Sequence, residues 1–289
     1  MNLKHILSEI EKVDPEVYAK LDTRRSAMKE FARVSGKIAM AAVPIAIGSM
    51  FKKAYGGTRG ATGTMDTVVE ILNYALTLEY LEAEFYSTAV SKGTALVPAG
   101  APAGAIATIS GHETLHVAYL KSAVTAAGGT PVAKPTFDFS AGGGSGNGPF
   151  KDVFVNYQLF LAVAQTFEDT GVRAYKGRAA EIVKGGDYLT AALNIHSVEA
   201  RHASHIRQMR KANNFGDVKP WITGKDTGGI GTAVDASYKN EDNITQATID
   251  ITTLPGIGGN ISFNAATESF DEPLSKAEVL AIVGPFIKP

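Results

Sequence analysis

Residues 109–120 read Ile109-Ser110-Gly111-His112-Glu113-Thr114-Leu115-His116-Val117-Ala118-Tyr119-Leu120, and residues 195–206 read Ile195-His196-Ser197-Val198-Glu199-Ala200-Arg201-His202-Ala203-Ser204-His205-Ile206. Each stretch holds Glu-x-x-His: Glu113 with His116, and Glu199 with His202. Residues three apart on a helix share a face, so in each pair the carboxylate and the imidazole point at one place. Random placement of the chain's 16 Glu and 6 His would give about 0.3 such pairs, and two occur. Both lie in the middle of long apolar-periodic segments, which that periodicity predicts as helices.

Working outward, the second predicted helix covers about 102–127 and stops at Gly128-Gly129. The fourth covers about 187–213, with Asp187 as its expected N-cap. A first helix is predicted over about 65–92, and a third over about 150–184, stopped by Gly185-Gly186. Between the second and third, residues 129–148 hold Pro131, Pro135 and a glycine cluster. A loop of that length usually crosses a whole face of a domain. The prediction is an all-α fold, a four-helix bundle with a long crossover between helices two and three.

The other two helices carry carboxylates on the same logic. Glu79, Glu82 and Tyr86 lie in the first. At 100° per residue, Glu82 is about 60° and Tyr86 about 20° from Glu79, whereas Glu84 is about 140° away and faces elsewhere. The third places Glu168 at the end of the apolar run Phe160-Leu161-Ala162-Val163-Ala164-Gln165-Thr166-Phe167. A carboxylate in such a run is costly to bury unless it meets a cation. Two helices with a Glu and two with Glu-x-x-His form the donor set of a two-metal bundle site. Four carboxylates cancel the charge of two divalent ions, so the assembled site can be buried; without them the carboxylates repel one another. The bland readings are a solvated Glu–His pair, a structural salt bridge at Glu168 and a core tyrosine at Tyr86. His112, His196 and His205 are expected around or outside the site.

Composition narrows the chemistry. The chain has 289 residues, 45% hydrophobic and 20% charged, with a net charge of -1. That is globular composition, with no field of one sign to favour nucleic acid or an anionic membrane. No cysteine is present, which excludes disulfides, thiol nucleophiles and Cys-ligated zinc, iron–sulfur or rubredoxin-type centres. A metal here must use His, carboxylate and water.

The ends read differently. Residues 1–56 are expected to form an N-terminal helical segment holding Thr23-Arg24-Arg25-Ser26-Ala27-Met28-Lys29 and the apolar run at 36–50, which is too short for a stable membrane span and holds Lys37 and Pro44. Two readings of it stand open. As a twin-arginine export signal it would send the protein to the periplasm or beyond; as a basic helix packed on the core or another subunit it leaves a cytoplasmic protein. Residues 57–64 are a glycine-rich linker, 65–214 the bundle and 215–289 an extended tail. In the tail, residues 247–254 alternate like a strand, and Ser275-Lys276-Ala277-Glu278 is a capping-box pattern that opens a short final helix.

Leu72-Asn73-Tyr74-Ala75-Leu76-Thr77-Leu78-Glu79, followed by Tyr86, resembles the first helix of bacterioferritin-type proteins. Residues 65–213 resemble the ferritin-like domain of the desiccation-related group, the second ferritin family. The likeness is carried by residues 80–86, 131–139, Glu168-Asp169-Thr170-Gly171 and 196–202, and in the tail by Phe270-Asp271-Glu272-Pro273-Leu274. The resemblance implies two divalent metal ions, iron or manganese. Glu79 and His116 would serve the first, Glu168 and His202 the second, with Glu113 and Glu199 bridging; Glu82 competes with Glu79, and Tyr86 stands beside the ligands. It also implies O2 or H2O2 as substrate, in ferroxidase, peroxidase or manganese-catalase-like chemistry under oxidative or desiccation stress. Without a rubredoxin module, a rubrerythrin-like peroxidase would need an external electron donor. Bundles of this type often pair through helix faces, so a homo-oligomer is expected. The alternative is a non-catalytic stress-associated protein whose metal site only stabilises the bundle. The long loop and tail depart from compact storage ferritins.

Overall fold

The computed structural model describes residues 66–182 and 186–289. The N-terminal segment, its arginine pair and the glycine-rich linker lie outside the described residues. Four long helices run α1 Val68–Lys92, α2 Ala101–Ala126, α3 Tyr157–Ala179 and α4 Asp187–Ala212. The chain is all-α in character, with α1 packed along α2 and α3 along α4, and the two pairs facing each other. No described helix is long and apolar enough to cross a membrane.

Local chemistry sets the helix ends. Thr67 caps α1 in a reciprocal box: its hydroxyl accepts from Glu70 N, and the Glu70 carboxylate accepts from Thr67 N. Asn156 caps α3 by accepting from Leu159 N at 3.0 Å. That starts α3 later than the predicted 150, because 150–155 form turns. Asp187 is not the N-cap of α4; Gly186, at φ 53°, holds that position without a side-chain bond, and Asp187 is the first helical residue. There its charge still complements the helix dipole.

The crossover, 127–156, is held at several points. The Asn73 side chain accepts from Val132 N and donates to Thr130 O. Asp138 gathers Ser140 N, Ser140 Oγ, Gly144 N and Gly146 N at 2.6–3.0 Å, which folds the glycine cluster into a fixed turn. Its backbone pairs with the chain's end through Asp138 N to Phe286 O and Lys288 N to Thr136 O.

The tail wraps α3. Its predicted strand at 247–254 is instead a hairpin of β1 Thr245–Gln246 and β2 Ile249–Asp250, followed by a 3-10 turn at Ile251–Thr253. Ala247 and Thr248 form the reversal with positive φ, so of the two alternating isoleucines only Ile249 lies in a strand, while Ile251 opens the 3-10 turn. A second two-residue hairpin (β3 Pro255–Gly256, β4 Gly259–Asn260) and α5 Phe263–Thr267 precede α6 Lys276–Val283, which opens with the Ser275–Glu278 capping box. A Cβ at Gly177 would lie 2.0 Å from Leu274 O, so only glycine lets the tail approach α3 so closely. Arg173, fully buried, fixes that contact by donating to Glu272 O, Ser237 O and Lys239 O and pairing with Glu241 at 2.7 Å. Hence α3 is buried nearly all round, from Phe160 to Tyr175.

Candidate metal centre

The seam between the two helix pairs is apolar at one end. There Phe85 stacks on Phe160 at 5.0 Å and meets Phe167 edge-on at 5.0 Å. Beside this plug the polar side chains converge. Helix α1 supplies Glu79, α2 Glu113 and His116, α3 Glu168, and α4 Glu199 and His202. All four carboxylates are fully buried; His202 and His116 are 5% and 9% exposed.

Their donor atoms form two overlapping groups. One comprises Glu79, Glu113, His116 and Glu199; the other comprises Glu113, Glu168, Glu199 and His202. Within each group the donor atoms lie within 4.8 Å of one another. Glu113 and Glu199 belong to both. His116 Nδ1 lies 3.1, 3.2 and 3.1 Å from oxygens of Glu79, Glu113 and Glu199. His202 Nδ1 lies 2.9, 3.4 and 3.7 Å from Glu113, Glu168 and Glu199. One ring N–H cannot satisfy three carboxylates. Glu113 Oε1, Glu168 Oε2, both Glu199 oxygens and His202 Nδ1 are accordingly buried without an aligned hydrogen bond. Orphaned polar atoms of this kind are rare in folded proteins, and each calls for a physical cause. Oxygen and imidazole donors converging on two points suit divalent transition metals.

Without metal, protons must supply the missing positive charge. Burial, together with the Glu199 carboxylate, pushes Glu79 well above the usual carboxylate range. Burial also pushes Glu168 up, against the pull of His202. The imidazoles respond oppositely: burial alone would lower them, but the carboxylates around them push His116 and His202 up to about 12. Glu113, opposed by burial but bonded to both imidazoles, is held down at about 2. Metals would displace these protons.

Around the six sits a second layer. Tyr86 donates to Glu168 Oε1 at 2.5 Å, and Tyr175 donates to Glu79 Oε1 at 2.5 Å. Each tyrosine stands seven residues after the glutamate of its own helix and bonds the glutamate of the opposite one. Tyr86 was singled out from its place on the Glu79 face. Tyr175 was missed, although the seven-residue spacing from Glu168 repeats that of Tyr86 from Glu79. On the outer side, His112 Nδ1 lies 2.9 Å from His202 Nε2, with the rings stacked. A ring whose Nδ1 faces the carboxylates is thereby fixed through its other nitrogen. His196 instead bonds Val172 O, and His205 is exposed.

Glu79 lies in the first donor group and Glu82 in neither. Glu82 is nonetheless 4% exposed and close to the cluster. Glu84 points away and pairs with Lys134.

Comparison with curated proteins and with solved structures gives no match. A family model described as a ferritin-like domain matches residues 67–212, from the capping threonine of α1 to the last residue of α4. That match spans half of the 289 residues and contains all six converging side chains, so the chain belongs to the ferritin-like domain family.

Proposed function

We propose that this chain is a di-metal carboxylate protein that binds two iron or manganese ions and reduces or disproportionates O2 or H2O2, serving as a ferroxidase or peroxide-detoxifying protein. One observation carries the reading: Glu113 and Glu199 lie in both donor groups, as carboxylates shared between neighbouring cations must. When bound, such a pair supplies electrons, one from each ion, to an oxygen–oxygen bond.

The chain's own residues do the rest. Glu79 with His116, and Glu168 with His202, hold the two ends of the site. Tyr86 and Tyr175 hold the oxygens of Glu168 and Glu79 that they bond, which leaves the second oxygen of each carboxylate aimed at the centre. The phenylalanines at 85, 160 and 167 keep water from one end. His112 accepts or donates a proton at His202 Nε2, on the solvent side. The resemblance to the desiccation-related group favours a protective role against oxidants.

The test is metal quantitation on purified protein loaded with Fe(II) or Mn(II), followed by peroxide-consumption and Fe(II)-oxidation assays. Two ions per chain and turnover at least 100-fold above a Glu113→Ala variant are expected. Two ions bound with equal rates in both proteins would replace catalysis by a purely stabilising metal site. No bound ion would end the reading.

A further inference from the structure

The glutamate-and-tyrosine pattern of α1 recurs on α3 with one exchange. Helix α1 reads Glu79-x-x-Glu82-x-x-x-Tyr86, and α3 reads Glu168-x-x-Gly171-x-x-x-Tyr175. A fifth glutamate on one helix thus faces a glycine on the other. The placement is mutual: a Cβ at Gly171 would lie 3.3 Å from Glu82 Oε1 and 3.8 Å from Glu199 Oε2. Gly171 is in the middle of a helix, where glycine is a poor choice on its own account. Its missing side chain leaves the space in which the Glu82 and Glu199 carboxylates approach each other.

Among the described residues Glu82 has no ion pair. It is 96% buried, with 4% of its surface exposed. No group among the described residues donates a hydrogen bond to it, and besides burial the Glu199, Glu168, Glu79 and Glu113 carboxylates oppose its ionisation. Glu82 also borders a crevice lined by Leu78, Leu81, Phe167, Thr170 and Val283, where the Thr170 hydroxyl is already given to Thr166 O. A side chain of this kind, buried, with no donor among the described residues and beside a cluster of carboxylates, calls for a cation on the cluster side.

On the two-metal reading above, four carboxylates already balance two divalent ions. A fifth is in excess unless the pair carries more charge than four. We infer that Glu82 is a fifth carboxylate ligand of the centre, entering beside Glu199 over Gly171, and that it stabilises the site when trivalent cations occupy it. Glu82 thereby sets which charge state of the metal pair the protein favours.

The full chain, its Glu82→Gln variant and its Gly171→Ala variant are titrated with Zn(II) and, separately, with Ga(III), two redox-inert probes that differ in charge. In Glu82→Gln, two Zn(II) per chain should bind with affinity within about threefold of the parent, while Ga(III) affinity falls at least tenfold. Gly171→Ala keeps the carboxylate but fills the space before it, and Ga(III) should weaken in the same direction. Equal Ga(III) affinity in parent and Glu82→Gln, with Zn(II) bound by both, overturns the role of Glu82 and leaves the two-metal reading intact. A parent chain that takes up no Zn(II) overturns both. Should Glu82→Gln fail to fold, Gly171→Ala decides on the same two outcomes.

Discussion

Glu168 and Asp169 are consecutive, both buried, and live in opposite electrostatic worlds. Asp169 faces the seam between the bundle and its tail. There the guanidinium of Arg207 pairs with it through Nε and Nη2, and the Tyr238 hydroxyl donates to it at 2.8 Å. Gln165 and Arg210 extend the network to Gly228 O and Phe215 O. Glu168 faces the bundle interior, where the cluster adds three more carboxylates and two imidazoles, and where among the described residues the carboxylates pair with His116 and His202 and with no arginine or lysine. The seam carries its own fixed cations, and the interior does not. Buried charge that is closed on itself is structural; buried charge left open is a receptor for something positive.

The sharpest way to break this contrast is to open the closed side. Arg207→Ala leaves Asp169 buried without its cation and is expected to cost about 3–5 kcal/mol, read as a lower urea midpoint at unchanged slope. Glu168→Gln, one residue away, removes a repelled charge from the interior. In the metal-free protein it should change stability by less than about 1 kcal/mol or raise it. Equal and large losses in both variants would show that the two regions are not different in kind.

The next effect sharpens the open side. Metal that binds only the folded chain stabilises it by about 2.7 kcal/mol at 100 times the dissociation constant, or roughly 5–10 °C in Tm for a domain of this size. The gain should grow with pH. The imidazoles of His116 and His202, which burial alone would lower, are raised by their carboxylates from 6.5 to about 12. Their contribution is therefore fully present below pH 6.5 and is lost as pH climbs toward 12. Glu79 and Glu168, raised above 4.5 chiefly by burial, act in the same direction. Glu113, held at about 2, contributes above 4.5 and changes nothing between pH 6 and 9. The metal-free protein should lose Tm across pH 6–9, while the loaded protein, its protons already displaced, should hold it. Parallel curves would mean that protons and metal do not compete for this cluster.

The interior was far more legible in the sequence than the seam. Glu113–His116 and Glu199–His202 declare themselves because three residues along a helix is a local relation, and Glu168 because an apolar run surrounds it. The Ser275–Glu278 capping box is local too and forms as read, whereas the Thr67–Glu70 box that opens α1 was overlooked. The arginine clamps were invisible: Arg173 reaches Ser237, Glu241 and Glu272, and Arg207 reaches back to Asp169, contacts that no periodicity encodes. The same clamps bury α3 on nearly every side, which is why Gln165, Asp169 and Arg173 lie inside the protein although they are polar. Residues 247–254 misled because Ala247 and Thr248 are a hairpin turn with positive φ and Ile251–Thr253 a 3-10 turn, which leaves only Ile249–Asp250 as strand. Gly171 gives no sign of its purpose until the opposite helix is placed across from it.

The smallest expected effect compares the bundle's halves rather than its interior and its seam. Tyr86 is fully buried and Tyr175 is 8% exposed, and each donates one hydrogen bond across to the other half's glutamate. Removing either hydroxyl leaves the ring packing intact and costs one buried bond, about 1 kcal/mol in each case. If the halves are equivalent, Tyr86→Phe and Tyr175→Phe should lower stability alike, and the double variant should show the sum within about 0.5 kcal/mol. The metal readout should separate them. Tyr175 supports Glu79, whose neighbour one turn on is Glu82, so a second carboxylate stands close by when Glu79 loses its support. Tyr86 supports Glu168, whose neighbour one turn on is Gly171, and nothing can substitute. Divalent metal affinity, measured by competition with a chelator, should therefore fall further in Tyr86→Phe than in Tyr175→Phe, within the roughly 10–100-fold span of such outer-layer changes. Equal losses would mean that Glu82 gives Glu79 no help, and the exchange of Glu82 for Gly171 between the halves would carry no weight for divalent ions.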